Sequence, residues 1–238
     1  MRVASLVPSA TESLLALGVR PVACTRFCEQ PGIPTVGGTK NPDVDALIAL
    51  KPDLVVVNDE ENRREDAEAL SSAGLALIEI SPRDLDDLGR AVCDLASAVG
   101  VSVPPPFDSA GWAEWLGGLP SRVAELRSAF VPVWRRPWVT LAPDTYRASV
   151  LEACGLEPVG GSGEARYPET TLEEVADLQP DLVVLPDEPY PFTETHAAEI
   201  GGALGDVDLV FVDGRDLFWW GTRTPDAVRR LRGVFSGE

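Results

Sequence analysis

Short unbroken apolar runs recur along the chain, and amphipathic segments separate them. Val3 to Val7, Leu54 to Val57 and Ala76 to Ile80 are three such runs; Trp138 to Ala142, Leu182 to Leu185 and Leu209 to Val212 are three more. Apolar runs without polar alternation are what strands covered on both faces of a parallel sheet require. Between the runs lie helical patterns. Ser13 to Leu17 and Ser149 to Cys154 each stop at a glycine, Gly18 and Gly155, and pass into another short apolar stretch. Val44 to Leu50 and Leu172 to Leu178 are amphipathic and lead directly into Pro-Asp and the next run. The pattern predicts the order β-α-β-α-β-α-β, twice.

The two halves share a phrase. Lys51-Pro52-Asp53-Leu54-Val55-Val56-Val57-Asn58-Asp59-Glu60 returns as Gln179-Pro180-Asp181-Leu182-Val183-Val184-Leu185-Pro186-Asp187-Glu188. Asp53 and Asp181 are 128 residues apart. That is too long for a solenoid period and is the size of a small domain. The expected organisation is an α/β fold of two Rossmann-like lobes with parallel sheets, residues 1–82 and 137–238, with a ligand cleft between them. Residues 83–136 form a helical connection. In it, Asp84 to Val99 places Leu85, Leu88, Val92, Leu95 and Val99 on one face, and Pro104-Pro105-Pro106 ends the helix. A second helical stretch is expected from Phe107 to Phe130, with Val123, Leu126 and Phe130 on one side and a break at Gly117-Gly118 and Pro120. Trp112 and Trp115 are expected to pack the connection onto a lobe.

Composition narrows the function. With 45% hydrophobic residues over 238, the chain can bury one large or two modest cores. A net charge of −18 repels phosphate backbones, so nucleic acid is not an expected partner. No run approaches the ~20 apolar residues of a membrane span, so membrane insertion is not expected either. No signal peptide precedes the first strand, which reads as cytoplasmic; a trimmed mature form would read the same and be periplasmic or otherwise extracytoplasmic. Cys93 and Cys154 fall in helical patterns as small apolar residues. Cys24 and Cys28 are too widely spaced for a usual zinc knuckle. They read as two ordinary thiols, with a disulfide or a soft-metal pair as the other possibilities.

Several phrases together resemble the class III periplasmic binding proteins, the helical-backbone metal receptors. Arg2-Val-Ala-Ser-Leu-Val-Pro-Ser-Ala-Thr-Glu12 is similar to their opening strand and helix start, and Ala49 to Val57 to their second-strand phrase. Val150-Leu-Glu-Ala-Cys-Gly155 is similar to the first helix of their second lobe. Asp216-Leu-Phe-Trp-Trp-Gly221, followed by Thr224-Pro225, is similar to their late loop and last helix. Val36 to Asp43 and Asn58 to Arg63 point to a subgroup whose members often lack a secretion signal. The resemblance covers nearly the whole chain. It implies a bulky metal chelate as ligand, a cobalamin-like corrinoid or a ferric siderophore, with no intrinsic cofactor. It also implies an ABC permease as partner if the protein is exported.

Candidate ligand-binding residues sit where parallel strands end, because ligands of α/β folds gather there. Ser9 is placed to cap the first helix with Glu12 at N3 as a capping box, and the amides there could also take an anionic group. Arg26 and Phe27 follow the next strand; the resemblance implies stacking and carboxylate pairing for such residues, and a plain surface loop also accounts for them. Asn58, Glu60, Glu61 and Asn62 form the most distinctive cluster. In the related cobalamin receptors an aromatic residue stands at the position of Asn58. Acids preceding a helix explain Glu60 and Glu61 as helix-start residues, but they do not explain an amide at each end. Tyr190, Phe192, Trp219 and Trp220 form an aromatic set in the second half, with one of the adjacent tryptophans expected in the core. Tyr146 and Tyr167 are expected in loops of the same wall, and Arg147, Arg166, Arg215 and Arg223 are expected to hold an anionic rim or to be solvated. His196 is the sole histidine, which suits a cap or an exposed position better than a zinc site. Gly160-Gly161-Ser162-Gly163 reads as a flexible loop. The expected function is therefore a solute-binding protein for a metal chelate, with catalysis not favoured and no metal ligand assigned. The alternative is a cytoplasmic enzyme or cofactor-handling protein that uses Glu60 or Glu61 as acid–base group.

Overall fold

The computed structural model describes residues 1–119, 126–161 and 165–236. Pro120 and Val123 of the connection, and Ser162-Gly163 of the glycine-rich loop, lie outside the described residues. The chain forms two compact units. The first takes in residues 1–82, 86–116 and 220–222; the second takes in 83–85, 117–219 and 223–238.

In the first unit the order is β1 (Val3–Ser5), α1 (Pro8–Ala16), β2 (Ala23–Cys24), α2 (Val44–Leu50), β3 (Leu54–Val57), α3 (Arg64–Ser72) and β4 (Leu77–Glu79). The long helix α4 (Leu85–Ala98) and α5 (Ser109–Gly117) follow. The sheet is parallel, with order β2-β1-β3-β4. Val55, Val57, Ala4, Leu6 and Leu47 are fully or almost fully buried in one cluster with Leu70. The unbroken apolar run of β3 is buried on both faces, as the sequence pattern requires. On α4, Leu88, Val92 and Leu95 are completely buried. Trp112 stacks between Phe107 and Trp115, and it lies so close to Gly89 that a Cβ there would overlap the indole. Both tryptophans of the connection thus pack on α4 or on each other.

In the second unit the order is β5 (Arg127–Phe130), β6 (Trp138–Val139), α6 (Tyr146–Ala153), β7 (Leu156–Val159), β8 (Glu169–Thr170), α7 (Leu172–Leu178), β9 (Leu182–Pro186), α8 (Glu194–Leu204), β10 (Asp208–Val212), α9 (Gly214–Phe218) and α10 (Thr224–Ser236). Its main sheet is parallel, with order β10-β9-β5-β7. Two expectations are corrected here. Arg127 to Phe130 is a central strand, not the end of a helix. Trp138 and Val139 do not supply the first strand of this sheet; they pair antiparallel with Glu169 and Thr170 in a separate ribbon. The physical reason is that Ala129, Phe130 and Val131 are contiguous and completely buried, as an inner strand covered on both faces requires. Three apolar positions at helical spacing could not reveal that.

With β5 as the counterpart of β1, the two sheets have one topology. The repeated Pro-Asp explains why. Asp53 accepts the backbone N–H of Arg2 on Oδ2 at 2.6 Å and donates its own N–H to the Arg2 carbonyl at 2.7 Å. Asp181 does the same with Ser128, at 2.7 Å and 2.9 Å. Each aspartate thus fastens the start of its strand to the start of the neighbouring one. The residue two before it, Lys51 or Gln179, ends the helix in the left-handed region at φ 47° and φ 49°. The phrase is a helix-to-strand connector used twice.

Candidate functional site

All strands of each main sheet are parallel, so the loops after their carboxyl ends emerge on one edge. In the first unit these loops follow β1, β2, β3 and β4. Helix α1 begins at Pro8, with Val7 as its N-cap and no side-chain cap. The capping box expected of Ser9 and Glu12 is therefore not formed: with proline at the first helical position the helix starts two residues earlier than that box requires. Ser9 is buried, and its carbonyl accepts the Ser13 hydroxyl at 2.9 Å.

Arg26 and Phe27 lie in a 3-10 turn, Arg26–Cys28, after β2. The guanidinium of Arg26 sits 4.7 Å from the centroid of the Phe27 ring, which is 49% exposed. The turn is anchored by buried thiols. Cys28 Sγ lies 3.2 Å from the Thr11 hydroxyl and 3.3 Å from that of Thr25. All four cysteines are free thiols. Burial, and after it the adjacent Cys28, push the Cys24 thiol up to about 12. Both cysteines therefore serve as core residues.

The Asn58–Asn62 cluster changes role. Asn58 and Asn62 are buried. Oδ1 of Asn58 accepts the backbone N–H groups of Glu60 and Glu61 at 2.9 Å and 3.1 Å, and Nδ2 donates to the Ile80 carbonyl at 2.9 Å. Oδ1 of Asn62 accepts the Asn58 N–H at 2.9 Å, while Nδ2 donates to the carbonyls of Leu6 and Thr39 at 3.1 Å and 3.0 Å. Both amide hydrogens of Asn62 are engaged. The two asparagines tie the end of β3 to the ends of β1 and β4 and to the 39–41 loop. That is the reason for an amide at each end, and it removes Asn62 from contact with a ligand. Glu60 and Glu61 are partly buried on the loop so held.

In the second unit the loops after β5, β9 and β10 are neighbours, because those strands are adjacent in the sheet. Here the aromatic set divides. Tyr146 is not in a loop. It opens α6, capped by Thr145, is fully buried, and pairs its hydroxyl with that of Thr224 at 2.8 Å. Burial raises its phenol well above the usual range. Phe192 is core, beside Phe130, Val183 and Leu185, and stacks on Trp138. Trp220, which belongs to the first unit, is buried as well, 2% exposed. All three are buried side chains.

Tyr190 and Trp219 remain half-buried. Trp219 is held by Glu188: Oε2 accepts the indole N–H at 3.1 Å, and Oε1 accepts Nε of Arg215 at 3.1 Å. The guanidinium groups of Arg215 and Arg223 lie 5.0 Å and 5.6 Å from the Trp219 ring. Buried Asp216 receives Arg223 and both nitrogens of the Arg230 fork. Asp187 accepts the Gly214 N–H at 2.7 Å, and a Cβ on Gly214 would meet the Glu188 backbone at 2.5 Å. Only glycine allows this close approach. Asp187 and Glu188 are thus committed to positioning the β10 loop. Arg147 lies over Tyr167 and Phe218, 5.7 Å from each ring.

Trp134 joins the candidates only in the structure. It follows β5, is 47% exposed, and meets Tyr190 edge-on with centroids 5.3 Å apart. Its neighbour Arg135 forms a bidentate pair with Glu199, both contacts 2.8 Å. Reading Phe130-Val131-Pro132-Val133-Trp134 as the counterpart of the β1 run and its Val-Pro exit would have found it. His196 takes the capping role expected of it: it completes a capping box with Thr193 at the start of α8. Among the described residues no group of three or more His, Cys, Asp or Glu could hold a metal ion, and no helix is long and apolar enough to cross a membrane.

No protein-family profile matches the chain. Vitamin B12-binding protein of Pectobacterium carotovorum is 23% identical over 199 residues, which cover 79% of this chain and 72% of that one. Among solved structures, the periplasmic vitamin B12 binding protein BtuF of Vibrio cholerae aligns with a TM-score of 0.78 at 21% identity, over 99% of this chain and 96% of that one. A periplasmic heme binding protein from Pseudomonas aeruginosa aligns equally well, with a TM-score of 0.78 at 21% identity, over 100% and 93%. The chain carries the fold of the class III periplasmic binding proteins, as its sequence phrases implied.

Proposed function

We propose that the protein is a solute-binding protein for a bulky metal chelate, a corrinoid or a ferric chelate, bound by loops that follow the carboxyl ends of its parallel strands. One observation carries the reading. Three adjacent loops of the second unit present Trp134, Tyr190 and Trp219 with part of each ring unburied, and guanidinium groups lie over Trp219. Aromatic faces framed by cations suit a large conjugated or carboxylate-bearing ligand. Arg26 on Phe27 in the first unit has the same character. Glu60 and Glu61 are further candidate contacts, and Ser9 is one through the amides at the start of α1. The ligands in the relatives' names, vitamin B12 and heme, support this class over an acid–base enzyme. The periplasmic setting of the solved neighbours supports an extracytoplasmic location with an ABC permease as partner.

The test is titration of the purified protein with cyanocobalamin and with hemin, followed by tryptophan fluorescence and by the absorbance of the chelate. Saturable quenching at micromolar concentration by at least one of them is expected. Absence of binding by both up to high micromolar concentration overturns the reading. Mass spectrometry of whatever accompanies the protein from cells gives the ligand directly.

A further inference from the structure

The hydrogen bonds around His196 determine what Tyr190 can offer. The backbone N–H of Thr193 donates to Nδ1 of His196 at 3.0 Å. A nitrogen that accepts an N–H carries no proton, so neutral His196 is protonated on Nε2. Nε2 lies 3.3 Å from the Tyr190 hydroxyl oxygen. The imidazole is therefore the donor in that contact and the phenol oxygen the acceptor. The phenol proton has no acceptor among the described residues. The ring itself is fixed. Trp134 packs edge-on at 5.3 Å, Phe192 lies at 4.9 Å, and the His196 ring stands nearly perpendicular at 5.3 Å.

We propose that Tyr190 is a specificity-determining hydrogen-bond donor to the bound chelate, and that His196 is a positioning residue that keeps its proton available. The inference rests on the binding function proposed above and deepens it. The ligand must present an acceptor oxygen, a carboxylate or an amide carbonyl, beside a conjugated face that Trp134 can stack against. A capping residue with the opposite polarity would cancel the effect. Glutamate at position 196 would still accept the Thr193 N–H, as glutamate does in an ordinary capping box, but its carboxylate would capture the phenol proton. Glutamine would cap equally well and still present an N–H to the phenol oxygen.

The experiment compares wild type with Tyr190→Phe, His196→Glu and His196→Gln, titrated with hemin, which offers carboxylates, and with cyanocobalamin, which offers amide carbonyls. For whichever probe the wild type binds, Tyr190→Phe and His196→Glu are each expected to weaken binding about tenfold, the loss typical of one hydrogen bond. His196→Gln should bind within about twofold of wild type, and the thermal midpoints of all three should stay close together. Tyr190→Phe or His196→Glu binding as tightly as wild type overturns the proposal. Nitrogen NMR of the imidazole supplies a ligand-free check: a proton on Nε2 is expected, and a proton on Nδ1 overturns the proposal. If the wild type binds neither probe, the proposed function fails while this NMR measurement still decides the tautomer.

Discussion

Asn62 shows how one residue can look functional from sequence and prove architectural in three dimensions. An amide amid acids at the end of a strand reads as a ligand contact. Its partners are the carbonyls of Leu6 and Thr39 and the N–H of Asn58. The first of these is 56 residues away in the chain, so no local pattern could have disclosed it. Replacing Asn62 by leucine keeps the volume and leaves buried backbone groups without partners. An unsatisfied buried group costs about 1–3 kcal/mol. Asn62→Leu should therefore lose about 2–3 kcal/mol, read as a lower urea midpoint with an unchanged slope. Glu61→Gln on the same loop should change stability by less than about 0.5 kcal/mol, as partly exposed substitutions usually do. Equal midpoints for Asn62→Leu and wild type would return the residue to the list of ligand contacts. Tyr146, Phe192 and Trp220 teach the converse lesson. Aromatic character marked all three as candidates, but burial is set by partners distant in the chain, as where the Tyr146 hydroxyl meets that of Thr224 and Phe192 stacks on Trp138.

At the scale of elements, most of the fold was legible where a pattern was local. The helices Val44–Leu50 and Leu172–Leu178 and the strands after them lie where periodicity and the Pro-Asp phrase place them. Strand β5 was not legible, because its apolar run is short and its neighbours imitate a helical face. The aspartate connector identifies it in retrospect, and its charge state gives a test. The Ser128 hydroxyl and backbone N–H hold the Asp181 carboxyl below the usual carboxylate range, with a smaller contribution from Arg127. A carboxyl whose folded pKa lies below its unfolded one adds stability above the unfolded value. That contribution disappears as the pH falls through the folded value. Ser128→Ala removes the largest cause, so the Asp181 carboxyl should titrate at higher pH in the variant than in wild type, measured by carbon NMR of the side chain. An unchanged midpoint would mean that the connector acts through its backbone bonds alone.

For the whole molecule, the charge balance and the site chemistry pull in opposite directions, and the conflict can be measured. The chain carries −18, yet the second unit sets Arg215 and Arg223 over Trp219, and Arg147 over Tyr167 and Phe218. Glu188 and Asp216 neutralise Arg215 and Arg223 directly. The far field that an approaching ligand meets is therefore the net negative one, and the arginines act only at contact. Salt screens the far field over a Debye length of about 8 Å at physiological ionic strength and leaves short contacts largely intact. Hemin, a net anion through its carboxylates, should therefore associate faster as salt is added. The gain expected is roughly severalfold between about 10 mM and about 200 mM, while its dissociation changes little. Cyanocobalamin, without net charge, should show an association rate nearly independent of salt. Stopped-flow quenching of tryptophan fluorescence reads both, for whichever chelate binds. An association rate for hemin that falls with salt would show that the arginine-framed loops set the field at long range, and that the net charge of the chain does not govern how its ligand arrives.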